Sequence, residues 1–177
     1  MDLTKLKEPL SIKDIDFRIQ SINKGKYATI LAYKDARVDM NRLDDVVGVL
    51  NWKREHTRDN RNCIISIWCD DKKQWVSKED TGSESSAEAQ KGLASDSFKR
   101  AGFNLGIGRE LYDYPVISIK LNDNEVTEFN GKFKQSFHLK LKDWKWISEF
   151  VGGEIIGLAC QDTSGVTRFN WGKFTKK

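Results

Sequence analysis

The sequence predicts an α+β protein built on a β-β-β-α core, and three observations predict it. Three strand-like runs follow one another through short polar links, a helix-periodic segment with a cap comes directly after them, and the chain turns β-rich and aromatic beyond Pro115. Sequential strands with short links favour an antiparallel meander, with helices covering one face.

Ahead of the core, a short helix candidate precedes Pro9, and Asn23-Lys24-Gly25-Lys26 is a turn into a strand at Tyr27-Ala28-Thr29-Ile30-Leu31-Ala32-Tyr33. A helix is then expected from about Asp39 to Val47. Leu43, Val46, Val47 and Leu50 fall at i, i+3, i+4 and i+7, and Gly48 is placed to cap the C-terminus. Strands are expected at Trp52 to Thr57, Asn62 to Cys69 and Gln74 to Asp80, linked by Arg58-Asp59-Asn60-Arg61 and Asp70-Asp71-Lys72-Lys73.

The central helix starts at a capping box, Ser85 with Glu88 three residues on. Ala87, Ala94, Phe98, Ala101 and Leu105 make a stripe of mostly small residues, so the helix can lie close to a sheet. At 100° per residue, Lys99 falls on the flank of the stripe and Arg100 nearly opposite it. Gly102 weakens a helix by roughly 1 kcal/mol relative to alanine, which points to a close approach or a nearby helix end.

Residues 1–114 form the expected core and 115–177 a β-rich basic and aromatic extension. Within the extension, strands are expected near Val116 to Leu121, Lys134 to Leu141, Glu154 to Cys160 and Val166 to Asn170. A short helix from about Asp143 to Val151 would be stopped by Gly152-Gly153, and Asp162-Thr163-Ser164-Gly165 is a hairpin turn.

Charged residues make up 32% of the 177 and hydrophobic ones 38%, the balance of a soluble globular protein. No apolar run approaches the roughly 20 residues that span a bilayer, and Met1-Asp2-Leu3-Thr4-Lys5 lacks a signal-peptide core, so a cytoplasmic location is expected. Cys63, Cys69 and Cys160 have no paired spacing and the only histidines are His56 and His138, which gives metal ligation little support. The net charge of +4 is uneven: residues 131–177 carry nine Lys or Arg against four Asp or Glu. Any polyanion must therefore be held by local patches rather than by a whole-protein field.

Two segments resemble a known family. Asp96-Ser97-Phe98-Lys99-Arg100-Ala101 with Phe103-Asn104-Leu105-Gly106-Ile107-Gly108-Arg109-Glu110-Leu111-Tyr112 resembles the central helix and exit of the Rad-fifty-two superfamily of single-strand annealing proteins, in its phage Sak-type branch. Upstream, Asp14-Ile15-Asp16-Phe17-Arg18-Ile19, Ala32-Tyr33, Arg37 to Gly48 and Asn51-Trp52 follow in the same order, so the resemblance covers roughly residues 12–114. It implies a curved antiparallel sheet crossed by a long central helix, with protomers side by side in a homo-oligomeric ring. The implied function is ATP-independent binding and annealing of single-stranded DNA in recombination and repair, with a single-stranded-DNA-binding protein as a further partner.

The residues are compatible with that chemistry. No G-x-x-x-x-G-K-[ST] loop is present, and annealing needs none, because pairing releases about 1.4 kcal/mol of stacking per base-pair step. Such a protein calls for Lys and Arg along a groove and for no cofactor, metal or nucleophile. By position in the motif, Lys99 and Arg100 correspond to the inner DNA groove and Arg37 to a groove arginine, with Arg42 as an alternative to it. Lys72 and Lys73 stand at a hairpin tip where the family has an outer DNA site, and Arg109 beside Gly108 could take a phosphate. Each has an ordinary structural reading too: a solvated helix face for Lys99 and Arg100, a helix-flanking arginine, a charged turn, a local ion pair for Arg109. Phe103 stands where some relatives carry another cation. Trp52, Trp68 and Trp75 read as core, and Lys142-Asp143-Trp144-Lys145-Trp146 as packing or base stacking. A metal-dependent nuclease using Asp70, Asp71, Glu79 and Asp80, or a scaffold that keeps the fold without binding DNA, are the rival readings.

Overall fold

A computed structural model describes residues 2–83 and 89–175; the Ser85–Glu88 capping box lies outside them. The chain divides into two discontinuous units, Met1–Leu10 with Lys34–Arg109, and Ser11–Tyr33 with Glu110–Lys177.

In the first unit, a 3-10 helix at Leu3–Lys7 precedes helix α1, Ala36–Val47. Asp35 caps α1, and Gly48 ends it at φ 88°, its N–H donating to Asp44 O. Leu43 and Val47 are buried as expected, whereas Leu50 lies past the cap and in solvent. Strands β3 (Trp52–Thr57), β4 (Asn62–Cys69) and β5 (Gln74–Thr81) form an antiparallel meander, numbered after two earlier strands of the other unit. Helix α2, Ala89–Leu105, crosses β4 and β5. Ile65 and Ile67 of β4 are buried, as are Phe98 and Ala101 of the helix, and Phe98 packs against Trp52 of β3. The helix lies close because its contact residues are small: a Cβ on Gly82 would come within 2.7 Å of Ser97 N.

In the second unit, β1 (Ile15–Ile22) and β2 (Tyr27–Lys34) join β6 (Ile117–Lys120) in the order β1-β2-β6. A two-stranded hairpin follows, β7 (Val126–Phe129) with β8 (Lys132–Gln135), and then the meander β9 (Lys145–Val151), β10 (Glu154–Gln161) and β11 (Thr167–Gly172). The core of this unit gathers Ile30, Ile117, Ile119, Leu141 and Leu158, with Phe17 stacked on Trp146 at 3.6 Å.

The expectation of one curved antiparallel sheet crossed by a long central helix is overturned. The described strands form four separate small antiparallel sheets, none closed or strongly curled, with two α-helices. The reason lies in β2: it pairs with β6 rather than with β3, placing Ala28 opposite Ile119 and Ile30 opposite Ile117, all four buried. That non-local apolar match ends the first sheet, and α1 separates it in sequence from the β3-β4-β5 meander.

Two local expectations also change. The segment 143–151 is strand, not helix, because Trp146 and Ile147 pair with Cys160 and Ala159, and Gly152-Gly153 form the hairpin turn at φ 61° and 90°. The strand expected over Lys134 to Leu141 is displaced to the β7–β8 hairpin, whose turn is Asn130-Gly131, both at positive φ.

Candidate nucleic-acid interface

The start of α1 brings two of the six predicted DNA contacts together. Asp35 Oδ1 accepts the Arg37 backbone N–H at 2.8 Å as an N-cap, and the same carboxylate takes Arg37 Nε at 2.9 Å and Nη2 at 3.4 Å. These hydrogen bonds hold the Asp35 carboxyl below its ordinary range, and the positive charge of Lys99, arriving from α2, adds to the effect. Arg37 therefore holds this carboxylate with Lys99 near enough to act on it electrostatically, and the Arg37 side chain is 82% exposed.

Behind that surface lies a charge pair the sequence did not announce. Lys34, at the end of β2, is buried and donates to Asp39 Oδ1 and, at 2.7 Å, to Ile107 O, with the Phe103 ring 4.2 Å from its Nζ. Phe103 thus sits where the ammonium needs a cover. Asp39 is fully buried on the same stripe of α1 as Leu43 and Val47, and its Oδ2 has no hydrogen-bond partner. Burial pushes this carboxyl up to about 6, against the opposing pull of Lys34 and, more weakly, Lys99. Gly102 of α2 closes the site: a Cβ there would stand 3.4 Å from Lys34 Nζ and overlap Asp39 Oδ1.

Arg100 points away from the buried stripe as expected and meets Asp80 of β5 at 3.4 Å, with 44% of its side chain still exposed. Asp80 also accepts from Asn104 Nδ2 at 3.2 Å. Exposed pairs of this kind contribute about 0–1 kcal/mol, so a phosphate can compete for either cation. Arg109 is used differently: Nε and Nη2 donate to Phe103 O at 3.1 and 2.7 Å, satisfying a free carbonyl at the end of α2. Arg42 donates to Lys5 O and Glu8 O and ties down the N-terminal 3-10 helix. At the β4–β5 tip, Lys73 has φ 51° and approaches Asp70 at 4.0 Å, while Lys72 lines a groove shared with Arg109.

Three of the four acids of the nuclease reading are individually engaged: Trp68 Nε1 donates to Asp70, Asn62 to Glu79, and Arg100 and Asn104 bind Asp80. Trp52 packs at 6.1 Å on Phe98 and donates to Asp44, a structural role. Trp75 is partly exposed and meets Trp68 edge-on at 5.6 Å with Lys53 Nζ 4.7 Å above it. This pair lies on the sheet face opposite α2, since the Ile65 partner Arg54 is the residue that reaches Phe98. Strand alternation at Ile65, Ile67 and Trp68 carried that signal. Compared with protein-family profiles, curated proteins and solved structures, the chain has no match.

Proposed function

We propose that the protein binds single-stranded DNA by its phosphates and promotes annealing without nucleotide hydrolysis, as a homo-oligomer. The observation that carries the reading is the exposed Arg37 paired with Asp35 within the electrostatic reach of Lys99, with Arg100 one residue further along α2. The Arg37–Asp35 and Arg100–Asp80 pairs are open enough to solvent to be weak, so a phosphate can displace either carboxylate, with Lys99 adding to the local positive field. The buried Lys34–Asp39 pair fixes α1 against α2 and so sets the spacing of the two cations. Annealing needs a strand held extended with its base edges free, which cations at a helix surface supply.

The test is annealing of complementary oligonucleotides in EDTA without nucleotide, with the parent and an Arg37→Ala, Lys99→Ala variant. Acceleration by the parent and its loss in the variant support the proposal. Equal rates for both at moderate salt remove the site assignment, and shortening of labelled strands with Mg²⁺ favours the nuclease instead.

A further inference from the structure

A groove of about 530 Å³ runs over the first unit between the N-terminal 3-10 helix, the β4–β5 hairpin and the end of α2, within the size range of sites that bury a ligand. Its floor is mainly aliphatic, with Leu6 and Ile67 buried and Leu105 partly covered. At its mouth Leu3 is 47% exposed and Val76 36% exposed, so apolar surface there meets water.

Lys7, Lys72, Lys78 and Arg109 line the same groove against two acids, Asp70 and Asp71. The acids stand at the hairpin end. At the α2 end the Lys7 stem lies against Gly106, where a Cβ would come within 2.6 Å of Lys7 Cγ, and Arg109 is anchored on Phe103 O and Asn104 O. Packing and main-chain hydrogen bonds therefore pre-set two cations at that end, which lowers the ordering cost a ligand would meet.

We propose that this groove docks an acidic amphipathic peptide segment of a partner protein, its apolar side chains on the Leu6, Ile67 and Val76 surface and its carboxylates at Lys7 and Arg109. Charge complementarity selects this occupant. A peptide can gather its charge at one end, whereas a nucleic acid carries a phosphate on every nucleotide and would set some of them against Asp70 and Asp71. Bases also need aromatic faces to stack on; Trp68 is the one aromatic residue of the described lining and its ring is engaged edge-on with Trp75, so the floor is mainly alkyl. Lys72 and Arg109 thereby move from the DNA contacts expected of them to a protein interface. The proposal is independent of the annealing reading, since Arg37, Lys99 and Arg100 are not part of the groove lining.

The experiment is fluorescence anisotropy of a labelled peptide with a leucine-serine segment followed by a terminal run of glutamates, titrated with the full chain. Saturable binding is expected, weakened by about tenfold or more in Val76→Glu and in Lys7→Glu, with oligothymidylate unable to displace the peptide. The same peptide with lysine in place of glutamate, or with serine in place of leucine, should not bind. Should Val76→Glu fail to fold, Leu3→Glu at the same mouth reads the same loss. The proposal is overturned if no peptide binds, if either control binds equally, if oligothymidylate competes, or if the mouth substitutions instead dissolve an assembly of the parent.

Discussion

Lys34 and Asp39 face each other inside the first unit, both out of reach of solvent, with the ammonium shared between one carboxylate oxygen and Ile107 O and the other oxygen unpartnered. Such a pair contributes little as a pair, because the desolvation of both charges offsets their attraction, yet it is costly to break from one side. Asp39→Ala removes a buried carboxylate from the ammonium and should therefore lower stability by about 3–5 kcal/mol. Adding Lys34→Met to Asp39→Ala should recover at least half of that loss. Urea unfolding of the two single variants and the double variant measures the coupling, and additive losses would contradict it.

The same pair sets a pH dependence. The Asp39 carboxyl takes up its proton at about 6 in the folded chain, against an ordinary value of 3.8. Between those values the folded state binds the extra proton, so the contribution is complete below about pH 4 and is lost as pH rises through about 6. The shift corresponds to a loss on the order of 3 kcal/mol across that window. Asp39→Asn lacks the titration. The stability of the parent relative to this variant should fall steadily across the window, and a difference that stays flat or rises would show that Asp39 does not titrate there.

Gly102→Ala tests the close approach of α2 to α1. Helix propensity alone favours alanine by about 1 kcal/mol. Against it, the new Cβ would overlap Asp39 Oδ1 and stand 3.4 Å from Lys34 Nζ, and the neighbour that must move is a buried, paired carboxylate. Overpacking of this kind costs about 1–3 kcal/mol, so the net effect should be destabilising. A rise in the urea midpoint would mean that α2 can shift away without loss.

These relationships show what the sequence could and could not reveal. The limits of β3 and β4, and of β5 to within one residue, were legible because alternation and polar hairpin links are local signals, and Gly102 in α2 did mark a close approach. The pairing of β2 with β6 was not, because it depends on a match between residues 27–30 and 117–120 that no local pattern announces. Asn130-Gly131 is a hairpin signal that the strand expected over Lys134 to Leu141 passed over, whereas the aromatic run at 144–150 resolves as strand only once β10 is beside it. At the site, the positions of Arg37 and Lys99 could be named from the sequence, but not the carboxylate between them. The buried pair was hidden by the expectation that charges face water; the i, i+4, i+8 spacing of Asp39, Leu43 and Val47 was its one trace.

Asp35 is the residue where local structure and ligand binding compete most directly. Its carboxylate caps α1 and also occupies the Arg37 guanidinium, under the field of Lys99. Asparagine caps a helix about as well as aspartate, so Asp35→Asn should leave the unfolding midpoint nearly unchanged. It removes the anion that competes with phosphate, and affinity for oligothymidylate should rise at low salt, by roughly tenfold if about 1.4 kcal/mol of competition is relieved. Arg37→Ala with Lys99→Ala should act in the opposite sense, and should also flatten the dependence of log affinity on log salt by about 1.4 if each cation holds one phosphate. Anisotropy titrations over a salt series read both. A weaker Asp35→Asn complex, or an unchanged slope in the double variant, would place any DNA contact elsewhere on the molecule.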